Sequence, residues 1–328
     1  MVLRRSFLVV CFLSSIAARA AEPAAPATPA TQPATQLKAG DFLRFVDRGS
    51  SGSRLETADV AFRNNAGVTV HLVAAVHIGE TSYFQGLAES FKLRDAVLYE
   101  MVKPRDAVIP LPGAPAEEKS HSAVSQLQRL MKDTLHLDFQ LDVIDYSQPN
   151  FVHADLDAET FEKMQAERGE PFASLMLQQL MKAMSQPPPE QANDAQADPE
   201  KQLEELVKTF TRPDGERQLK LVLARSLSQM EGTAMGLDGP GGSVILTERN
   251  KAAMKTLDKV LQGGRKDIAI FYGAAHMPDL SARLTDLGFK PIATDWRMAW
   301  DLAIRADEPS MVEKTLIDLI HGLNDLDK

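Results

Sequence analysis

Four residues of this chain combine reactive side chains with positions that a fold can expose: His77, Glu100, Arg249 and His276. Two imidazoles and one carboxylate are a ligand set that holds a divalent metal and leaves coordination positions open. A metal held in this way polarises a carbonyl and lowers the pKa of a bound water. Glu100 suits either of two roles there, metal ligand or general base. Arg249 adds a planar fork of donors suited to a substrate carboxylate or a developing oxyanion. The four are far apart in sequence, with no His-Glu-x-x-His helix between them. If they act together, the fold must gather them.

The segments around them are of the kind that does so. Val68–His77 (VTVHLVAAVH) is a run of β-branched and small apolar residues between an Asn-Asn-Ala-Gly turn and Gly79, which predicts a strand buried on both faces. Ile268–His276 (IAIFYGAAH) repeats the arrangement, a strand running through a small-residue turn into a histidine. Ala96–Met101 (AVLYEM) is a third short buried strand, and Glu100 closes it. Ligand sites of open α/β sheets lie at the carboxyl ends of the strands. Two strands that each deliver a histidine there place both imidazoles over one crevice if they are neighbours in the sheet. Arg249 enters from the first turns of a helix that follows the glycine-rich Gly236–Gly242. His153-Ala154-Asp155, after a Pro-Asn turn, is a second-tier candidate that either reaches the site or caps a helix over Asp157–Arg168. His71 belongs with His77 only if the strand is regular, and it is left out of the set.

The start of the chain reads as an export signal. Arg4 and Arg5 form a basic n-region, Phe7–Ala17 an apolar run too short to span a bilayer, and Ala18-Arg19-Ala20 an A-x-A cleavage site. A periplasmic or secreted protein is expected, with no transmembrane segment in the mature chain. Cys11 is the sole cysteine and leaves with residues 1–20, so neither a disulfide nor thiolate chemistry is expected. Any metal site must then use histidines and carboxylates. Removing the signal, with its three arginines and no acid, takes the formal charge from −9 to −12. An acidic chain without a basic cluster is a poor partner for nucleic acid or an anionic membrane.

Residues 21–37, rich in Ala, Pro and Thr, read as an extended linker. The remaining 38–328 read as a single α/β domain: a central mixed sheet with flanking helices and a mostly helical middle insertion at about 116–235. Further strands are expected at Phe42–Val46, Leu55–Arg63, Lys290–Thr294 and Trp296–Leu302, and a helix capped by Thr81 running to about Leu93. More helices are expected over Val124–Leu135, Phe172–Met184, Glu200–Phe210, Glu216–Met230, Pro278–Leu287 and Met311–Leu323. Another starts at Ser243 or Thr247 and reaches about Leu261. Pro187–Pro199 reads as a surface loop.

Ala74-Ala75-Val76-His77, Glu100, Glu248-Arg249-Asn250 and Gly273-Ala274-Ala275-His276 together resemble the signature of the TraB/PrgY/GumN family, which is related to the TIKI Wnt-inactivating proteases. That signature has two G-x-x-H motifs, a Glu closing the next strand and an Arg between them. The second motif matches in full, with Leu284, Gly288 and Phe289 in place downstream; the first has Ala74 where Gly is usual. The resemblance covers about 40–110 and 240–300. It implies an EreA/ChaN-like fold and metal-dependent hydrolysis of a peptide or small secreted substrate. His77, His276 and Glu100 would hold Mn, Co or Zn, with Glu100 and Arg249 catalytic. A related branch that binds haem iron implies the alternative, a non-catalytic haem-, metal- or peptide-binding protein, for which Tyr99 and Tyr272 are the nearest additional haem ligands.

Overall fold

The computed structural model describes residues 37–49, 52–109, 111–112, 135–169, 215–232 and 242–303. Their strands are β1 Leu43–Val46, β2 Ser53–Arg63, β3 Thr69–Ala75, β4 Ile78–Gly79, β5 Ala96–Tyr99, β6 Asp138–Phe139, β7 Phe151–His153, β8 Asp267–Gly273 and β9 Lys290–Leu302. The α-helices are α1 Thr81–Phe91, α2 Gln140–Val143, α3 Ala158–Arg168, α4 Gly215–Gly232, α5 Arg249–Gln262 and α6 Met277–Asp286.

The chain is an α/β protein built on a mixed sheet of order β1-β2-β3-β8-β5-β7, with β9 paired to β2. The β3, β8, β5 and β7 strands run parallel, whereas β2 is antiparallel to β1, β3 and β9. The parallel half follows from composition. Ile268, Ala269, Ile270 and Phe271 are all fully buried, so β8 has no solvent face and must lie inside. Helix α1 covers part of it with Tyr83, Phe84, Leu87 and Phe91, spaced three and four apart. The Phe91 ring meets Phe271 at 4.7 Å and Phe151 at 5.7 Å.

The β2–β3 hairpin turns at Asn64–Gly67. Asn64 Oδ1 accepts from the amides of Ala66 and Val68, both at 3.0 Å, and Gly67 takes φ +78°, a conformation that favours glycine. After β3 the chain crosses through α1 to β5, and β8 inserts between the two. The carboxyl ends of β3, β8, β5 and β7 therefore open on one rim of the sheet, at the point where the strand order reverses.

Several local expectations are corrected. Strand β3 stops at Ala75, so His77 stands two residues beyond it, in a loop fixed by the β4–β6 pairing. Glu80, not Thr81, is the N-cap of α1, and the Thr81 hydroxyl donates to Asp138 instead. Lys290–Thr294 and Trp296–Leu302 are one continuous strand, because β2 offers β9 a pairing edge from Ser53 to Arg63. The middle region, expected to be mostly helical, contributes β7 to the main sheet. The α4 and α6 helices fall where periodicity puts them, at Gly215–Gly232 and Met277–Asp286. The expected signal, linker (apart from Leu37), loop 187–199 and helices at 172–184, 200–210 and 311–323 lie outside the described residues, as does Val124–Leu135 apart from Leu135. Among the described residues no helix is long and apolar enough to cross a membrane.

Helix α3 starts at Asp157, whose carboxylate accepts from the Thr160 amide at 2.8 Å and from Arg105 at 3.0 Å. The hydrogen bonds to Thr160, with help from Arg105, lower its pKa to about 2. A depressed carboxylate stabilises above its unfolded pKa, and that stabilisation disappears as pH falls through the folded value. Replacing Asp157 by Ala is expected to fray the first turn of α3 at neutral pH, with faster amide exchange at Thr160 and Phe161. In the wild type the same change is expected only as pH approaches 2.

Candidate functional site

Each parallel strand delivers a functional group to the common rim. Glu100 follows β5 directly, and its backbone amide donates to the Phe271 carbonyl at 3.1 Å, which fixes it against β8. The Gly273 amide, at the end of β8, donates to Glu100 Oε2 at 2.6 Å. A Cβ at Gly273 would stand 3.3 Å from Glu100 Oε2 and 3.8 Å from both His276 Cδ2 and His77 Nε2. The glycine is therefore the close-approach point of the site. The two imidazole atoms, each 3.8 Å from one point, are separated by no more than twice that distance. The pairing of β3 with β8, register Ala75 to Gly273, brings the two histidine-bearing turns side by side.

His276 is buried and its ring is fixed. Asn250, wholly buried at the start of α5, uses its side-chain amide nitrogen to donate to Asp279 at 2.7 Å and to the His276 carbonyl at 3.3 Å. That orientation turns Asn250 Oδ1 toward the ring, where His276 Nδ1–H donates to it at 2.6 Å. His276 Nε2 is left facing Glu100 Oε1 at 3.5 Å. Tyr272 packs edge-on against the ring at 5.1 Å.

Arg249 opens α5. A five-residue π-helical turn, Val244–Glu248, leads into it, with the Ser243 side chain accepting from the Leu246 amide. Its Nη2 donates to Glu100 Oε1 at 2.7 Å and to Asp155 Oδ2 at 2.5 Å, and its Nε donates to Asp155 Oδ1 at 3.0 Å. Among the described residues Nη1 bonds to nothing. The Asp155 side chain is completely buried. Arg249 is thus first a counter-ion for two buried carboxylates, and only Nη1 remains to meet a substrate anion.

The electrostatics follow from this packing. Burial alone would raise the Glu100 pKa, but His276, Arg249 and His77 outweigh it and hold the carboxyl well below its ordinary range. Burial would lower the Arg249 pKa, and Glu100 with Asp155 raises it instead. Burial, reinforced by the charges of Asp155 and Glu100, pushes the Tyr272 hydroxyl well above its usual value. Two carboxylates against one guanidinium leave the buried cluster one negative charge in excess, before any charge on the histidines.

The chain matches no known family model, no curated protein and no solved structure.

Glu100, Arg249 and His276 are joined by direct contacts, and His77, an exposed residue, stands at the edge of the group with its Nε2 toward Gly273. Among the described residues no set of three His, Cys, Asp or Glu side chains is gathered closely enough to hold a metal as it stands. His153, Asp155 and Asp157 separate into three roles. His153 Nε2 meets the Met101 carbonyl at 2.6 Å, Asp155 enters the site and Asp157 caps α3. Tyr99 and Tyr272 are both buried, and the Tyr272 hydroxyl donates to the Ala154 carbonyl at 2.5 Å. His71 belongs elsewhere, between Asp59 at 2.9 Å and Asp267 at 3.5 Å. Asn250 had no sequence signal beyond its place next to Arg249.

Proposed function

We propose that this protein is an exported metal-dependent hydrolase of peptides, with a divalent cation (Mn, Co or Zn) held by His276, Glu100 and His77. One observation carries the reading: His276 Nε2 faces Glu100 Oε1 at 3.5 Å while Nδ1–H is committed to Asn250. A neutral ring in that tautomer aims a lone pair at a carboxylate. A proton on Nε2 or a cation held between the two groups removes the conflict, and a divalent cation there would take both as ligands. The Asn250–His276 bond is the outer contact that orients a metal-bound imidazole. The excess negative charge of the cluster fits a cation as well.

A cation bound there would supply a hydroxide-like nucleophile and polarise the scissile carbonyl. The residues do the rest. Glu100 is held ionised by His276, Arg249 and His77, so it would serve as an anionic ligand. Arg249 keeps Nη1 for a carboxylate or developing oxyanion of the substrate. His77 stands on the solvent side, where the substrate enters. The net reaction adds water across the amide: oxygen bonds to the carbonyl carbon, the C–N bond breaks and the amine leaves with a proton. The likeness of the two histidine motifs to the TraB/PrgY/GumN and TIKI proteins supports a peptide substrate.

A second reading, capture of a metal or peptide without turnover, is favoured by one feature. Both Glu100 oxygens are already bonded and its pKa is held low, which weakens it as a general base at neutral pH. One experiment addresses both readings. The mature protein is dialysed against each of Mn²⁺, Co²⁺ and Zn²⁺, its metal content is measured beside His77→Ala and His276→Ala, and each form is screened against a peptide library. We expect about one ion per wild-type chain, loss of it in both variants, and metal-dependent cleavage. Metal without cleavage supports capture, and equal metal in all three proteins sinks the ligand assignment.

A further inference from the structure

The two histidines of the site are not equally supported. His276 has Asn250 Oδ1 on its Nδ1–H. The His77 ring has no hydrogen-bond partner among the described residues, and the residue is exposed. A ligating histidine ordinarily gives its second ring N–H to an oxygen that fixes its orientation. His77 needs such an oxygen, and the structure holds one without a partner.

Gln140 begins α2, and its backbone amide donates to the His77 carbonyl at 2.9 Å. The β4–β6 pair, Ile78 with Phe139 and Gly79 with Asp138, holds the two segments together on the adjoining residues. Gln140 is only 7% exposed, and its Nε2 donates to the Tyr146 hydroxyl at 2.6 Å. Its Oε1 is shielded from solvent and, among the described residues, accepts no hydrogen bond. The Tyr146 ring packs at 4.9 Å against Tyr99, the residue before Glu100, so the Gln140 amide is tied on one side to the His77 segment and on the other to the end of β5. A buried amide oxygen without a donor is rare, since such groups are ordinarily satisfied.

We propose that Gln140 is the positioning residue for His77: when the site takes up its cation, the His77 ring, whose Nε2 already lies beside Gly273, donates Nδ1–H to Gln140 Oε1. The pair would mirror Asn250 and His276. Each would be a side-chain amide on an adjoining helix, one end anchored inside the protein and the carbonyl end given to an imidazole. The orphaned oxygen is then an acceptor held for the loaded state. Gln140 touches neither substrate nor metal and acts only through His77. The inference rests on the metal reading above.

The test uses zinc as the probe on the whole mature chain. Zinc affinity is measured by chelator competition for wild type, Gln140→Leu and Gln140→Glu, with circular dichroism confirming that each is folded. Nitrogen-15 spectra of the His77 imidazole are recorded with and without zinc. We expect Gln140→Leu to bind zinc about 10–100-fold more weakly, the range for loss of such an outer contact. Gln140→Glu keeps the acceptor and is expected to recover most of the affinity. In the zinc-loaded wild type the His77 ring N–H should be protected from exchange, and the apo protein should lack that protection. The wild-type spectra decide even if a variant misfolds. An unprotected His77 N–H with zinc bound, or undiminished zinc affinity in folded Gln140→Leu, overturns the Gln140 assignment while leaving the metal reading standing. A wild type that binds none of Zn²⁺, Mn²⁺ and Co²⁺ removes both.

Discussion

Replacing Arg249 by Ala is expected to destabilise the fold by about 3–5 kcal/mol, the usual cost of leaving buried charges without their partner. The Arg249 side chain is 11% exposed and sits between the side chains of Asp155, which has no exposure, and Glu100, which has 10%. Its removal strands two carboxylates, one of them with no access to water, and turns a bridged arrangement into like-charge repulsion. Urea denaturation followed by circular dichroism should show a lower midpoint with little change in slope. The partner change is as informative. Asp155→Asn in the Arg249→Ala background should recover part of the loss, because the two residues are in direct contact and their effects are coupled. A fall below about 1 kcal/mol in Arg249→Ala would mean that water reaches the carboxylates and that the ion pairs are weak surface pairs. Arg249 would then be free for a purely catalytic role.

The fold was legible in the sequence wherever burial is continuous. Thr69–Ala75, Ala96–Tyr99 and Asp267–Gly273 are apolar runs that cannot face water on either side, so both their existence and their place inside the sheet could be read. Element ends were less legible, because they depend on partners. The apolar run continues to Val76, yet the strand stops at Ala75, where β8 reaches Gly273. The division expected near Asp295 does not occur because β2 pairs with β9 on both sides of it. Thr81 has the right chemistry for a cap, but Asp138 draws its hydroxyl away.

The candidate site divides in the same manner. His77, Glu100 and His276 were found because each follows an apolar strand, and a strand end in an α/β sheet is a place for ligands. Arg249 was found through its position at a helix start, yet its role differs from the expected one. No local pattern shows that a guanidinium will be taken up by an aspartate 94 residues earlier in the chain. Asp155 was visible only as a second-tier candidate because β7 is three residues long and carries little periodicity. Asn250 and Gln140 were invisible as orienting groups. An amide gains that role from what the fold puts beside it, and nothing in its own neighbourhood marks it.

Glu100→Gln is expected to separate the charge of this site from its packing. The substitution keeps the shape of the side chain and removes one negative charge. The remaining Asp155 and Arg249 then form a neutral pair, so the stability loss should be modest, about 1–3 kcal/mol for disturbed hydrogen bonds. The disturbance has a definite source. Glu100 Oε2 receives the Gly273 amide at 2.6 Å and Oε1 receives Arg249 Nη2 at 2.7 Å, and a glutamine NH₂ placed at either position meets a donor. Binding and turnover should suffer far more than the fold. Without its anionic ligand the site is expected to lose divalent-cation affinity, and peptide hydrolysis should fall by more than the roughly 10–100-fold that loss of even an outer metal contact costs. Arg249→Ala and Glu100→Gln thus predict opposite signatures, the first mainly in stability and the second mainly in function. Calorimetric metal titration, alongside hydrolysis rates corrected for folded protein, distinguishes them. If Glu100→Gln lowers only the melting temperature while activity per folded molecule is unchanged, Glu100 is a structural anchor for Arg249 and the metal-centred mechanism is wrong. A combined His276→Ala and Glu100→Gln variant should be little worse than either single change, since groups that act as one unit do not fail additively.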